Sequence, residues 1–312
     1  MKTVIMTGAT SGLGAIAARI VADAPDTDLL IGSRGKQLDG VKQEPLDLAR
    51  LSSVRSFASA VQDRLGDTPI DVLILNAGVT SAGGNPTTED GYETVFATNH
   101  LAHYLLLRLL TPRLSPTATV VITTSDTHEP RINKLAPPQH AYADLLSAPP
   151  GPQQGFRDTF RAYASSKLCN LLTARALARN SAAQGSQLTV VAYNPGFTPG
   201  TELSREANRG IRTLTRVAVP VVGRFIHINT VAETGTALAD LALGNIRPPQ
   251  GRIYASLSRG RLTWPDPSPL ARSNDAMISL WQQTAALLPE LGEPLTMDAA
   301  SGRAANAGFE PA

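Results

Sequence analysis

An aliphatic run followed at once by a glycine-rich turn and an amphipathic stretch constrains this chain more than any other feature. Residues 3–6 read as a buried strand, Thr7-Gly8-Ala9-Thr10-Ser11-Gly12-Leu13-Gly14 as the turn, and residues 12–23 as the helix it opens. A strand that feeds a helix in this way belongs to a strand–helix–strand unit, whose second strand must lie parallel to the first. The pattern continues along the chain. Further aliphatic runs fall at 29–32, 72–75, 120–123, 189–192 and 252–255, and stretches of helical periodicity at 52–65, 91–110, 161–180 and 230–243. The expected fold class is α/β, a doubly wound parallel sheet with helices on both faces.

No repeat or linker separates two such series, so the sequence predicts one domain over residues 1–289. Pro- and Gly-containing excursions at about 129–160 and 198–228 are read as lid segments, and 290–312 as a weakly packed tail without periodicity. Net charge is only +2, which gives no electrostatic footprint for nucleic acid. The single cysteine, Cys169, excludes an internal disulfide and any multi-cysteine metal site. Apolar runs are too short to span a bilayer, and the glycine motif begins at Thr7. A cytoplasmic protein without a cleavable leader is therefore expected, as a monomer or a homodimer.

The glycine turn makes a phosphate cradle. Gly8 permits the tight turn, Gly12 lets the backbone approach a pyrophosphate, and the helix start offers N–H groups and a favourable dipole. The next strand ends Ile31-Gly32-Ser33-Arg34, followed by Lys36, with no acid before Asp39. An acid there would accept bonds from both ribose hydroxyls and select NAD; Arg34 and Ser33 instead suit a 2′-phosphate, so the expected cofactor is NADP(H). Only twelve residues, 35 to 46, separate Arg34 from Asp47. If residues 42–46 form the third strand, the crossover is too short for a helix of several turns, and Gly35 and Gly40 disfavour one further. An open adenosine end and salt-dependent cofactor binding follow.

Tyr163 and Lys167 lie four residues apart in a helical stretch, which puts phenol and ammonium on one face. A cation beside the phenol is expected to lower its pKa toward the range useful for proton transfer. Ser125 follows the strand at 120–123, Asn76-Ala77-Gly78 follows that at 72–75, and Asn194-Pro195-Gly196, with Thr198 and Thr201 beyond, follows that at 189–192. These groups gather at strand C-terminal ends, where open parallel sheets bind ligands. Asn99 places an amide inside an otherwise apolar helix.

Together these motifs resemble the short-chain dehydrogenase/reductase family over about residues 3–285. The resemblance implies strand order 3-2-1-4-5-6-7, with Ser125 positioning a substrate oxygen and Tyr163 acting as acid/base. Lys167 would also hold the nicotinamide ribose, and Asn99 would support a water-linked relay. Asp47, with Leu48 beside it, would contact the adenine, and Ala77 would pack near the adenosine. Thr98-Asn99-His100-Leu101-Ala102-His103, Ser165-Ser166-Lys167-Leu168-Cys169-Asn170 and Thr201-Glu202-Leu203-Ser204-Arg205-Glu206 are most similar to the retinol-dehydrogenase and protochlorophyllide-reductase branch, which handles large apolar substrates. Phe197 stands where the protochlorophyllide enzymes carry a cysteine. The reading is hydride exchange between NADP(H) and a ketone, aldehyde or alcohol on a bulky apolar molecule. The alternatives are reduction of an activated C=C bond and a non-catalytic NADP(H) sensor. His128 is read as a pocket-shaping or a loop-bonding residue. Cys169, Trp264 and Trp281 are read as packing residues, and His100 and His103 as no zinc site.

Overall fold

Hydrophobic strands buried on both faces dictate the architecture. In a computed structural model that describes residues 1–151, 155–199 and 228–291, β1 (Lys2–Thr7) sends Val4 and Met6 to one side and Ile5 to the other, and all three are fully buried. Eight strands form one sheet: β1, β2 (Thr27–Ser33), β3 (Lys42–Pro45), β4 (Ile70–Leu75), β5 (Leu114–Thr123), β6 (Thr189–Asn194), β7 (Tyr254–Ser258) and β8 (Arg261–Thr263). Their order is β3-β2-β1-β4-β5-β6-β7-β8, parallel except for the final antiparallel pair. The family order is thus present, extended by an edge strand that the sequence reading lacked.

Two helical layers seal the faces. Helices α1 (Gly12–Ala22) and α5 (Val231–Leu243) contribute Ala17, Val21, Leu238 and Leu241 to one core. The other core takes its residues from α2 (Leu51–Leu65), α3 (Ala102–Leu110), α4 (Phe156–Ala183) and α6 (Asn274–Ala286). Helix α6 was not expected, although Met277, Leu280, Trp281, Thr284 and Ala285 make a buried stripe along it. Trp281 is 1% exposed and meets Tyr104 edge-on at 4.9 Å, and Trp264 packs on the opposite core, so both tryptophans are packing residues.

Two helix starts differ from those expected. The helix expected from Gly91 begins at Thr94, because Gly91 sits at φ +86 in a turn and Glu93 caps the next turn through Val95 N and Phe96 N. Its middle, Ala97–Leu101, winds as a π-helix before α3. Helix α4 begins at Phe156, so residues 156–160 of the expected first lid belong to the helix that carries Tyr163 and Lys167. The rest of that segment, apart from the undescribed 152–154, is held by Asn133 to Thr127 O and Ala136, by Glu93 N to Ser147 O, and by Ala143 N to Gln283. Most of the second lid, from 200 to 227, and the tail beyond 291 lie outside the described residues.

The crossover between β2 and β3 contains no helix. β3 has only four residues and pairs Leu30↔Lys42 through Ser33↔Pro45, so the chain returns by roughly 10 Å, well within reach of eight loop residues. Gly35 and Gly40 adopt φ +109 and +75 in this loop. A short β3 makes the short parallel crossover possible.

Candidate active site

The cavity at the sheet's C-terminal edge, about 470 Å³, begins at the turn after β1. Gly8 has φ +68, and a Cβ there would lie 2.6 Å from Ala77 Cα; at Gly14 a Cβ would lie 1.9 Å from Gly8 O. The glycines therefore let the loop fold against the end of β4. Ser11 precedes α1 without a side-chain cap, and no acid stands in the first turn, so the helix start presents its N–H groups toward the cavity. An anion suits that cradle on charge and on space.

The residues expected to line the site mostly do. Gly8, residues 10–14, Ser33, Arg34, Asp47, Leu48, residues 76–78, Tyr163, Lys167 and Pro195 all face the cavity. Ser33 is buried, whereas Arg34 is exposed at the rim. Asp47 accepts from Ala49 N at 3.1 Å. Gly196 and Thr198 stand just behind Pro195, with Gly196 N donating to Asn194 Oδ1 at 2.9 Å and Thr198 Oγ1 to Gly196 O at 3.3 Å. Thr201 lies outside the described residues.

Tyr163 and Lys167 share one face of α4, with Nζ 5.9 Å from the phenol ring centroid and 3.2 Å from Thr123 O. Ser125 begins the 3-10 turn Asp126–His128 and stands close enough to the phenol to lower its pKa. Asn99, fully buried in the π turn, is one layer back. Its amide accepts from Val79 N at 2.7 Å and donates to Val79 O and Ser166 Oγ, both at 2.9 Å, which answers the cost of burying it. Ser166 Oγ in turn donates to Tyr163 O at 2.7 Å. The π turn is thereby joined to the helix that carries the phenol.

Comparison with known proteins decides the family. A family model described as short chain dehydrogenase matches residues 2–136. Retinol dehydrogenase 13 of Homo sapiens is 30% identical over 302 residues, covering 92% of this chain and 84% of the relative. The chain belongs to the short-chain dehydrogenase family. Protochlorophyllide reductase A, chloroplastic, of Hordeum vulgare is 34% identical over 290 residues, covering 82% of this chain and 72% of the relative. These two relatives place the chain in the branch that its motifs resemble. An uncharacterized protein from Mycobacterium Paratuberculosis has a similar solved structure, at TM-score 0.66 and 28% identity, covering 95% of this chain and 96% of that one. As a short-chain dehydrogenase, the chain is an oxidoreductase.

The electrostatics of this family member correct one expectation. Burial pushes the Tyr163 phenol up to about 12, with the nearby Ser125 hydroxyl lowering it and the Asp126 carboxylate raising it further. Burial pushes Lys167 down to about 8. The net shift of the phenol is upward, against the expected fall, because desolvation of the phenolate outweighs what an ammonium directed at Thr123 O offsets.

The sequence reading also missed the groups that hold the site together. His103 Nδ1 meets Asn99 O at 3.0 Å, and a carbonyl only accepts, so Nδ1 carries the proton. Burial pushes the ring down to about 4, so it is neutral and Nε2 accepts from Thr7 Oγ1 at 2.9 Å. Thr7 Oγ1 accepts in turn from Asn76 N and Ala77 N at 3.0 and 3.2 Å. Thr123 Oγ1 donates to Asn76 Oδ1, and its carbonyl receives Lys167 and Asn170. A histidine four residues after Asn99 on the same helix was the available signal. His128 follows the same logic: its Nδ1 donates to Ser125 O at 2.6 Å and its ring meets Tyr254 edge-on, so it fixes the Ser125 turn. Cys169 is buried, its thiol pushed up by desolvation, and reads as packing.

Proposed function

We propose that this protein is an NADP(H)-dependent reductase that interconverts a ketone or aldehyde and an alcohol on a bulky apolar molecule. One observation carries the reading: a buried phenol and a buried ammonium on one helix face at the inner end of a cavity whose other end is an uncapped helix start. The uncapped start of α1 and the glycine turn suit the pyrophosphate, while Arg34 with Ser33 suits a 2′-phosphate. NADP(H) supplies the hydride. Tyr163, neutral at ordinary pH with its pKa near 12, is a proton donor to the substrate oxygen, and Ser125 holds that oxygen beside it. Lys167 places a positive charge where the phenolate left by proton transfer needs it, and Asn99 fixes the turn behind both.

The ketone and aldehyde reading is tested by following NADPH oxidation with a panel of lipophilic ketones, aldehydes and enones. The expected result is turnover of C=O substrates that falls about 10²- to 10⁴-fold in Tyr163→Phe. Enone turnover at the C=C bond alone would favour the second reading, which the 34% identity to protochlorophyllide reductase supports. Tight NADPH binding with no turnover of any panel member would favour a sensor.

A further inference from the structure

The helix face that presents Tyr163 and Lys167 does not stop at the cavity. Residues 156, 160, 163 and 167 follow at spacings of four, three and four, one stripe along α4. Phe156 and Phe160 thus continue the catalytic face outward. Their rings lie 6.0 Å apart with planes 4° from parallel, and Phe160 and Tyr163 lie 6.3 Å apart at 24°. Exposure rises along the stripe, from 9% at Tyr163 through half-buried Phe160 to 59% at Phe156. Two large aromatic rings left progressively open to solvent on the face that carries the reacting phenol form an apolar track. Arg157 fixes the outer end: its Nε and Nη2 donate to Leu135 O at 3.2 and 2.9 Å, which ties the first turn of α4 to the stretch bearing exposed Ile132 and Leu135.

We infer that Phe156 and Phe160 form a stacking subsite for the substrate, and that the substrate carries a planar aryl ring system attached to the reacting carbonyl. This inference rests on the carbonyl-reduction reading, which makes Tyr163 the group the substrate oxygen must reach. A carbonyl conjugated to an aryl ring is coplanar with it. Once its oxygen is set against Tyr163, the ring system extends along rings that share a common plane direction. Aromatic pairs of this kind contribute beyond the area they bury, whereas a saturated ring of similar size gains only burial. Phe160 touches the inner ring and dominates, and Phe156 engages only the far ring of a fused system.

Direct binding separates this subsite from the reaction. Isothermal titration of the protein in the presence of NADP⁺ with 2-acetonaphthone, acetophenone and cyclohexyl methyl ketone should rank them in that order. Phe160→Ala should weaken 2-acetonaphthone about tenfold, and Phe160→Leu by less, about threefold, because an aliphatic side chain keeps burial and loses only stacking. Phe156→Ala should weaken 2-acetonaphthone severalfold while leaving the acetophenone-to-cyclohexyl ratio intact. Tyr163→Phe should bind the aryl ketone nearly as well as the parent protein. In turnover, the Phe160 variants should raise KM for aryl ketones far more than they lower kcat. The subsite is overturned if 2-acetonaphthone binds no better than the cyclohexyl ketone, or if both phenylalanines can be replaced without narrowing that preference. Aryl-selective binding that depends on Phe160, with no reduction of any ketone, sinks the carbonyl-reduction reading and keeps the subsite.

Discussion

The two ends of the cavity are made of opposite materials. At the catalytic end Lys167 and Asn99 are 3% and 0% exposed, and each polar group meets a partner from another element: Asn99 on Val79 and Ser166, Lys167 on Thr123, His103 between Asn99 and Thr7. At the adenosine end Arg34, Gly35 and Lys36 are exposed on a helix-free loop, and nothing lies within 4 Å of where a Cβ on Gly35 or Gly40 would be. Geometry at the first end is fixed by packing and hydrogen bonds in a low dielectric. Recognition at the second depends on charge in water. A hydride donor and a carbonyl must be held to fractions of an ångström, whereas a phosphate tolerates a mobile cation, so this division suits an oxidoreductase.

The largest effect should come from removing the buried cation. Lys167→Met is expected to lower kcat about 10²- to 10⁴-fold while the melting temperature at neutral pH stays level or rises, since a buried charge held mainly by one carbonyl is replaced by an apolar chain of similar length. The same residue gives the folded protein a pH signature. Unfolded, Lys167 keeps its proton up to about pH 10; folded, it releases it near 8. Between those values the unfolded chain holds more protons, so stability rises with pH, by about 3 kcal/mol over the full window. Urea unfolding of the cofactor-free protein from pH 7.5 to 10 should show this rise in the parent relative to Lys167→Met. Parallel curves for the two would place the ammonium in water rather than in the core. Above about pH 10 the buried Tyr163 phenol works in the opposite direction, because the folded state then holds the extra proton.

Breaking the bonded network is expected to cost stability next. His103→Leu leaves Thr7 O–H without its acceptor and the Asn99 carbonyl without its side-chain donor, a loss of about 2–4 kcal/mol by chemical denaturation. Lys36→Ala at the opposite end should change stability by less than about 0.5 kcal/mol. Similar losses at the two positions would erase the contrast between the ends.

What was legible in the sequence follows the same division. Glycines that permit backbone contact, such as Gly8 and Gly14, and residues at strand ends, such as Ser125 and Asn76, occupy positions set by local periodicity, so they were readable. The crossover was readable from chain length alone. The Thr7–His103, Thr123–Lys167 and Thr123–Asn170 bonds join segments about 40 to 100 residues apart, and nothing local in a threonine announces such a partner; only the His103–Asn99 bond, four residues long, left a local signal. Helix α6 carried a stripe of buried residues that periodicity could have found, and β8 is a three-residue edge strand defined only by pairing with β7. The net direction of the Tyr163 shift was misjudged because its sign depends on burial, which i, i+4 spacing does not reveal.

The smallest effects belong to the adenosine end, and they sharpen the comparison by separating charge from packing. Arg34 stands exposed at the cavity rim, at the end of β2, with Ser33 buried beside it. If it pairs with a 2′-phosphate, Arg34→Asp removes a charge-assisted bond and adds repulsion, so NADPH should bind about ten- to a hundredfold more weakly while NADH loses little or gains. Equal losses for the two cofactors, measured by fluorescence titration, would take that role from Arg34. Salt is the gentler probe of the same contact. An exposed ion pair contributes at most about 1 kcal/mol and is screened within about 10 Å at 0.1 M, so raising ionic strength should weaken NADPH binding by no more than about fivefold. NADH binding should shift less, because it lacks the phosphate, and kcat at saturating NADPH should not move, because the reacting groups are buried. Substituting Lys36 by Ala should flatten the salt dependence only slightly, whereas Arg34→Gln should remove most of it. If Arg34→Gln leaves the salt dependence intact, the helix start and its pyrophosphate carry the electrostatics, and the open crossover is a matter of chain length rather than of cofactor choice.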